Sequence, residues 1–484
     1  MRPHRMPVAP VRHAVARALE VIVVRWTRRR FLGCSLCVLG GAAVKPTLAT
    51  VAPPPRKRYN ILLITGDDTG CELGCYGVRS APTPNLDRLA AEGVLFTHAC
   101  VAVSSCSPSR ASMLTGTYPH THGQYGLAHH NKGQVRDYVP TIPQVLGRAG
   151  YRTGLIGKFH VKPAAKFPWD YLNQRGGRDD YKFAEMTREF LTARDDRPFF
   201  LMVNFHDTHR KFTPRVKGIP GRLVGPDEVE VPPFLPDDPQ VREDVAASYN
   251  SLARLDAGVG MVLEELADAG HADHTLVLFT GDNGLPFPRA KQTVYWYGLH
   301  VPFLARWPGR IEPGSVSDGL VSLVDMAPTF YELAGAPTPE IVQGKSLLPL
   351  FRGESQSGRD ILFAEHHTHA EGEYYPMRTV LTPEYHYIRN LRPDLEFDLA
   401  SDIEASLSWQ AIRRLMADDE EMQAVWQDLY VRRPAEELYD YEADPAERHN
   451  LASDPAHRAT LEMLRWRLRQ WMAATDDPLV ELWS

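Results

Sequence analysis

The segment Ser104-Ser105-Cys106-Ser107-Pro108-Ser109-Arg110-Ala111-Ser112-Met113-Leu114-Thr115-Gly116 sets one cysteine where chemistry is possible. Pro108 suits a first helical turn and Gly116 a helix end, so Cys106 falls just ahead of a helix N-terminus. That position favours negative charge, on a nucleophile or on a bound anion. Arg110 follows about one turn later, where its guanidinium can return to the same anion. A buried cysteine before an ordinary capped helix has the same local pattern. Elsewhere, Asp67-Asp68 and Asp282-Asn283 are hard oxygen donors, suited to Ca2+ or Mg2+ rather than zinc. One acidic pair alone is often a capping pair; two supply the two halves of a cage. Lys158, His160 and the His206-Asp207-x-His209 group add charge and proton-transfer capacity.

A common address links these residues. Residues 60–65 (Asn-Ile-Leu-Leu-Ile-Thr) form a continuous apolar run of the kind that a parallel strand covered on both faces shows. A helix follows, with Thr83 as N-cap, Pro84 at its first position, Leu86 and Leu89 on one face and Gly93 as its stop. Residues 94–96 begin another strand, which is βαβ grammar and predicts an open α/β sheet. Runs at 151–156, 198–205 and 275–280 read as further buried strands. Just past four of these strands come Asp67-Asp68, Lys158 and His160, His206 and His209, and Asp282-Asn283. Ligands of open α/β sheets bind outside the carboxyl ends of strands, so four such ends predict one polar site.

Beyond about residue 370 the pattern changes. Residues 377–382 and 385–390 read as an antiparallel hairpin, 401–432 as helical and 437–440 as a short strand. Pro455, capped by Asp454, opens an amphipathic helix with Leu461, Leu464, Leu468 and Trp471 on one face. These elements predict a smaller α+β subdomain over 371–484 beside a catalytic domain over 59–370. The Pro-rich stretch 214–239 predicts a long loop, of a length that often walls a pocket.

The ordered motifs C-S-P-S-R-A-S-x-L-T-G, Asp67-Asp68, Gly157-Lys158-x-His160, Asp282-Asn283-Gly284 and Glu437-Leu438-Tyr439-Asp440 to Asn450-Leu451-Ala452 resemble those of the type I sulfatases. The resemblance runs from Tyr59 to about Pro478. It implies an alkaline phosphatase/sulfatase-like fold, a mainly parallel sheet sandwiched by helices. It also implies oxidation of Cys106 to formylglycine by a formylglycine-generating enzyme. The metal, Ca2+ with Mg2+ as the alternative, would be held by Asp67, Asp68, Asp282, Asn283 and the modified Cys106. Arg110 and Lys158 would offset charge, His160 would assist deprotonation, His206 would act as acid for the leaving group and Lys291 would clamp the sulfate. His366, His367 and Arg378 are implied substrate contacts, and His129 and His130 could line the pocket.

Within the family, Val103-Ser104-Ser105-Cys106, Arg197-Pro198-Phe199-Phe200-Leu201, Phe205-His206-Asp207-x-His209-Arg210, Asp282-Asn283-Gly284-x-Pro286-Phe287-Pro288, Tyr295-Trp296 and Tyr375-Pro376-Met377-Arg378 are similar to the N-sulfoglucosamine sulfohydrolase (sulfamidase) branch more than to arylsulfatases. This implies a sulfated saccharide substrate, above all the N-sulfate of a terminal glucosamine. Lys291 stands near an arginine of that branch, Arg289 is close by, and Thr65-Gly66 precedes the acidic pair where an alanine is more usual. An O-sulfatase, a phosphonate or phosphate monoester hydrolase of the same superfamily, and a non-catalytic sulfated-glycan binder are the competing readings. The resemblance leaves a homodimer open.

The chain has 484 residues, a formal net charge of −6, 43% hydrophobic and 24% charged residues, and six cysteines. This ordinary globular composition excludes collagen, coiled coil and a disulfide-dense mini-protein, and the acidic balance argues against nucleic acid as a partner. Residues 1–52 are basic, with Thr27-Arg28-Arg29-Arg30-Phe31-Leu32 ahead of a short apolar run and small residues. That order resembles a twin-arginine export signal and predicts the export machinery as a partner and a periplasmic or secreted product. Residues 53–58 read as a linker. Cleavage after Ala52 would remove nine basic residues and one acidic residue and move the formal charge from −6 to −14. Such a surface favours a pocket for one terminal sugar over a groove for an extended polyanion. Cys71 and Cys75 are read as packed thiols or a disulfide, not a zinc site.

Overall fold

The computed structural model describes residues 58–483 except 355–357, 419 and 442, and the described residues form one compact unit. The expected signal and nearly all of the expected linker lie outside the described residues. No helix among the described residues is long and apolar enough to cross a membrane.

The main sheet has eight strands in the order Tyr171–Asn173, Arg152–Gly157, Phe199–Asn204, Asn60–Gly66, Thr275–Gly281, Phe303–Arg306, Val94–Phe96, Ser315–Ser317. It is parallel except for Phe303–Arg306, which runs against both neighbours. Alternate residues of the central strands enter two different cores, which is why their sequence is apolar throughout instead of alternating. Ile61, Leu63, Phe200, Met202, Leu276 and Leu278 pack on one face against Ala111, Met113, Leu146 and Phe330. Leu62, Ile64, Leu201, Val203, Val277 and Phe279 pack on the other against Leu86, Phe190, Leu255 and Val262. The expected doubly covered α/β sheet is therefore observed.

Strand register aligns the site. Thr65 stands opposite Asn204 and Thr280, Gly157 opposite Asn204, and Gly66 opposite Gly281, so four chains leave the sheet at one level. Gly281 is required there, because a Cβ would lie 2.0 Å from the Thr69 carbonyl oxygen.

A second, antiparallel sheet comprises Leu362–Thr368, Tyr374–Leu381, Tyr385–Asn390 and Glu436–Asp440. It contains the expected hairpin, but begins at Leu362, so a division at 370/371 would fall between its first two strands. The region 401–432, expected as helical, is three helices, Ser401–Glu404, Leu407–Asp418 and Glu420–Tyr430. The last long helix, Arg458–Ala474, follows a turn capped by the Asp454 side chain and lays Leu461, Leu464, Leu468 and Met472 on Val380, Tyr387 and Leu438. The Pro-rich loop buries Val224, Val229, Phe234 and Leu235 against Leu285, Phe287 and Trp409. It thus supports the segment that follows Asn283.

Candidate active site

Cys106 is the first residue of the helix Cys106–Thr115, one step further in than the sequence suggests, with Ser105 as N-cap. Gly116 ends the helix at φ 71°, as expected for a left-handed cap. All ten helix residues are buried, because the helix sends Ala111, Met113 and Leu114 into the core on one face of the main sheet and packs against the helices Met326–Ala334 and Ile142–Arg148. Its N-terminus points at the aligned strand ends. One ligand atom from each of Asp67, Asp68, Cys106 and Asp282 lies within 4.8 Å of the others, and all four residues are buried.

Each acid is held in place. The Asp68 backbone is left-handed (φ 57°), a conformation that Asp tolerates better than most residues, and its N–H donates to Asp282 Oδ1 at 2.9 Å. Lys158 Nζ donates to both Asp67 oxygens at 2.6 and 2.8 Å. Arg110 Nε donates to Asp282 Oδ2 at 2.8 Å, and its Nη2 lies 3.6 Å from Asp67. Lys291 Nζ donates to Asp68 Oδ2 at 2.7 Å. Three carboxylates thus face three cations. Burial tends to raise Asp67, but Lys158, His209 and Arg110 hold it well below the usual carboxylate range. Burial pushes Asp282 up to about 7 against the pull of Arg110. Burial also raises the Cys106 thiol well above its ordinary value; Lys158 opposes this, and Asp68, Asp67 and Asp282 add to it. As a thiol, Cys106 is a neutral and poor nucleophile.

Three buried atoms lack a hydrogen-bond partner here, one of them His160 Nδ1. Asn283 Oδ1 is a free amide oxygen, while its Nδ2 donates to Asp68 Oδ1 at 2.9 Å; Arg110 Nη2 is a free donor. The three carboxylates and the amide oxygen form an all-oxygen donor set, which fits a hard divalent cation. The free Arg110 donor fits an anion beside it.

The histidines divide between two sides. His160 Nε2 meets His129 Nδ1 at 2.8 Å, and the two rings stack on each other, which puts His129 at the site; His130 packs on His129. Burial lowers His160 to about 2 and His206 to about 4, with Asp67 opposing and Lys158 adding in both cases, so both rings are neutral at neutral pH. His209, on the same loop as His206, touches the cage directly. Its Nδ1 bonds the Arg210 carbonyl oxygen, leaving Nε2 facing Lys291 Nζ at 3.3 Å and Asp68 Oδ2 at 3.8 Å.

His366, His367 and Arg378 do not join this cluster. Arg378 is wholly buried and directly opposite Glu365 across the second sheet, and it donates to Asp477 Oδ2 at 2.5 Å and to His367 at 2.9 Å. It ties the chain just beyond the helix Arg458–Ala474 to the sheet, so its donors are already committed, and the expected substrate contact is corrected to a buried structural ion pair. His366 is equally buried, and His367 sits against Arg378 and the Tyr125 ring. The sequence reading missed His369, one residue beyond the strand Leu362–Thr368, whose Nδ1 meets Ser105 Oγ at 2.8 Å. It also missed Asp402, whose Oδ2 accepts from Lys291 Nζ at 2.8 Å. Cys71, Cys75 and Cys100 are free thiols, so Cys71 and Cys75 form no disulfide.

An acidic cage at aligned strand ends, with a buried cysteine opening a helix into it, is the arrangement the sequence motifs imply. A family model described as Sulfatase matches residues 59–336, and the chain belongs to the sulfatase family. A second model, N-sulphoglucosamine sulphohydrolase, C-terminal, matches residues 289–432. Human N-sulphoglucosamine sulphohydrolase is 39% identical over 464 residues, covering 87% of this chain and 91% of that protein. An ulvan-active sulfatase of Formosa agariphila is 30% identical over 436 residues, covering 88% and 82%. Two solved structures share the fold at 20% identity. One is BT4656 in complex with its substrate D-glucosamine-2-N,6-O-disulfate (TM-score 0.66; 87% of this chain, 99% of that one). The other is the phosphonate monoester hydrolase SpPMH from Silicibacter pomeroyi (TM-score 0.65; 86% and 96%). The protein is a hydrolase of sulfate esters or sulfamidates.

Proposed function

We propose that this enzyme removes the N-sulfate of a terminal glucosamine in a heparan- or heparin-type saccharide, with Cys106 converted to formylglycine and a divalent cation in the acidic cage. The observation that carries the reading is the position of Cys106, buried at a helix N-terminus with Sγ 3.7 Å from Asp68 Oδ1. The similarity to human N-sulphoglucosamine sulphohydrolase supports the substrate class. Asp67, Asp68, Asp282 and Asn283 would hold the cation, with the modified Cys106 as the remaining ligand. Bound there, the cation would supply charge stabilisation at a sulfuryl oxygen. The aldehyde hydrate of the modified Cys106 offers one oxygen for attack on sulfur and a second whose deprotonation releases sulfate, a route that serine or cysteine lacks. Arg110 and Lys158 offset charge around that hydrate, and His160, neutral, accepts its proton. Lys291 binds the sulfuryl group.

For the leaving amine, His206 is the candidate acid: His209 Nδ1 donates to the Arg210 carbonyl oxygen, so Nε2 of its neutral ring is an acceptor facing Lys291 and has no proton to give. The basic leader supports oxidation in the cytoplasm followed by export in folded form to the periplasm or beyond. Mass spectrometry of the Cys106 peptide after co-expression with a formylglycine-generating enzyme, alongside turnover of N-sulfoglucosamine, 6-O-sulfated sugars, aryl sulfate and aryl phosphate, tests the proposal. An aldehyde at Cys106 and preference for the N-sulfate are expected. A persistent thiol in active protein refutes the nucleophile, and turnover of phosphoesters alone refutes the sulfatase reading.

A further inference from the structure

Lys291, the residue placed to bind the sulfuryl group, is gripped from two sides. Asp68 Oδ2 lies 2.7 Å from its Nζ within the cage, and Asp402 Oδ2 lies 2.8 Å away on the outer side. Asp402 comes from the short helix Ser401–Glu404, far along the chain from the cage residues and outside every motif. Its placement is built. Gln292, next to Lys291, accepts from the Ala400 N–H through Oε1 and donates to Glu373 Oε2 at 2.5 Å through Nε2. The Asp402 side chain keeps 22% of its surface exposed, whereas that of Lys291 keeps 1%. It is therefore partly open to solvent instead of being sealed into the protein, and His209 Nε2 lies 3.9 Å from it.

A partly exposed carboxylate beside an anion site repels a sulfated ligand unless the ligand gives it a hydrogen. Asp402 spends one oxygen on Lys291 and the other on the adjacent Ile403 N–H at 3.1 Å, and a carboxylate has about four acceptor positions, so capacity remains. A sulfamate carries an N–H on the atom bonded to sulfur, but a sulfate ester carries only an oxygen with no hydrogen. We infer that Asp402 is a specificity-determining residue that accepts the N–H of a sulfamate bound at Lys291 and disfavours the O-sulfate. The inference rests on the sulfatase reading above and deepens it, because selection of nitrogen over oxygen would come from the C-terminal part of the chain and not from the cage.

A matched pair of ligands isolates the N–H. N-methylsulfamate and methyl sulfate have the same charge and nearly the same shape, and neither carries a sugar. Their dissociation constants for the metal-loaded, formylglycine-bearing enzyme, measured by calorimetry, should differ about tenfold or more in favour of N-methylsulfamate. In Asp402→Ala that ratio should fall to within about threefold of unity, and Asp402→Asn, which keeps the shape and loses the charge, should be intermediate. Melting curves establish that each variant is folded; if Asp402→Ala is not, Asp402→Asn carries the test. Equal weakening of both ligands, with the ratio kept, would show that Asp402 only positions Lys291 and would overturn the inference. So would a wild-type enzyme with no preference. If neither ligand binds while aryl phosphates are turned over, it is the sulfatase reading that has failed.

Discussion

Arg378 separates a structural from a substrate-binding role cleanly. Its guanidinium donates five hydrogen bonds: two to Asp477, two to the carbonyls of His366 and Met377, and one to His367. Glu365 lies 3.7 Å from its Nε, and none of the three side chains is exposed. Arg378→Met leaves Asp477 buried without its cation, and removing one partner of a buried pair costs about 3–5 kcal/mol. The unit from Lys57 to Ser484 should melt with an entropy of about 0.9 kcal/mol/K, at roughly 2.1 cal/mol/K per residue, so the midpoint should fall by about 3–6 °C. Adding Asp477→Leu should restore part of this loss, since it removes the carboxylate left without its cation, and Glu365 still contacts His120 at 2.5 Å. Scanning calorimetry gives the midpoint, and steady-state kinetics on N-sulfoglucosamine should show kcat and KM within about twofold of wild type. A variant with an unchanged midpoint and a tenfold higher KM would refute the argument and return Arg378 to the substrate.

Chelation should lower the melting midpoint and abolish turnover, because Asp67, Asp68 and Asp282 are left facing one another; Ca2+ or Mg2+ at about 100 times its Kd should return about 2.7 kcal/mol. No shift with any divalent cation would count against the cage. Stability should also fall as pH drops below about 6.5, because burial lowers His122 and His300 to about 3 in the folded chain. Between those values the unfolded chain binds more protons than the native one, so stability is complete above the window and lost below it. His300→Gln should flatten the dependence of melting midpoint on pH over 4–6.5, and an unchanged slope would refute the assignment.

The four site-bearing strands were legible because a strand covered on both faces must be apolar throughout, and the acids, Lys158 and the histidines interrupt each run where it ends. Cys106 was legible through Pro108 and Gly116. Asp402 was not: it lies in the stretch 401–432, whose sequence says no more than that it is helical, and the docking of Ala400 on Gln292 sets it beside Lys291. His209 and His206 are three residues apart in one loop, and nothing in the local sequence says which ring reaches Lys291. Arg378 misled for a related reason. An arginine within a strand can face solvent, substrate or a buried acid, and its acids, Glu365 and Asp477, are supplied by cross-strand register and by the chain beyond the last helix.

The aligned register also dictates where the chain can change length. A residue inserted within Asn60–Gly66 would displace Asp67 and Asp68 by a strand step, about 3.3 Å, and reverse which core each side chain between the insertion and Asp67 enters. Asp282 and Lys158 sit under the same restriction on their own strands. The segment between Gln292 and Asp402 passes through a second sheet and several loops, so its length can vary while Gln292 still docks Ala400. The acidic cage is thus confined to fixed chain lengths, while the side of the site that carries Asp402 is free to be rebuilt by insertion and deletion.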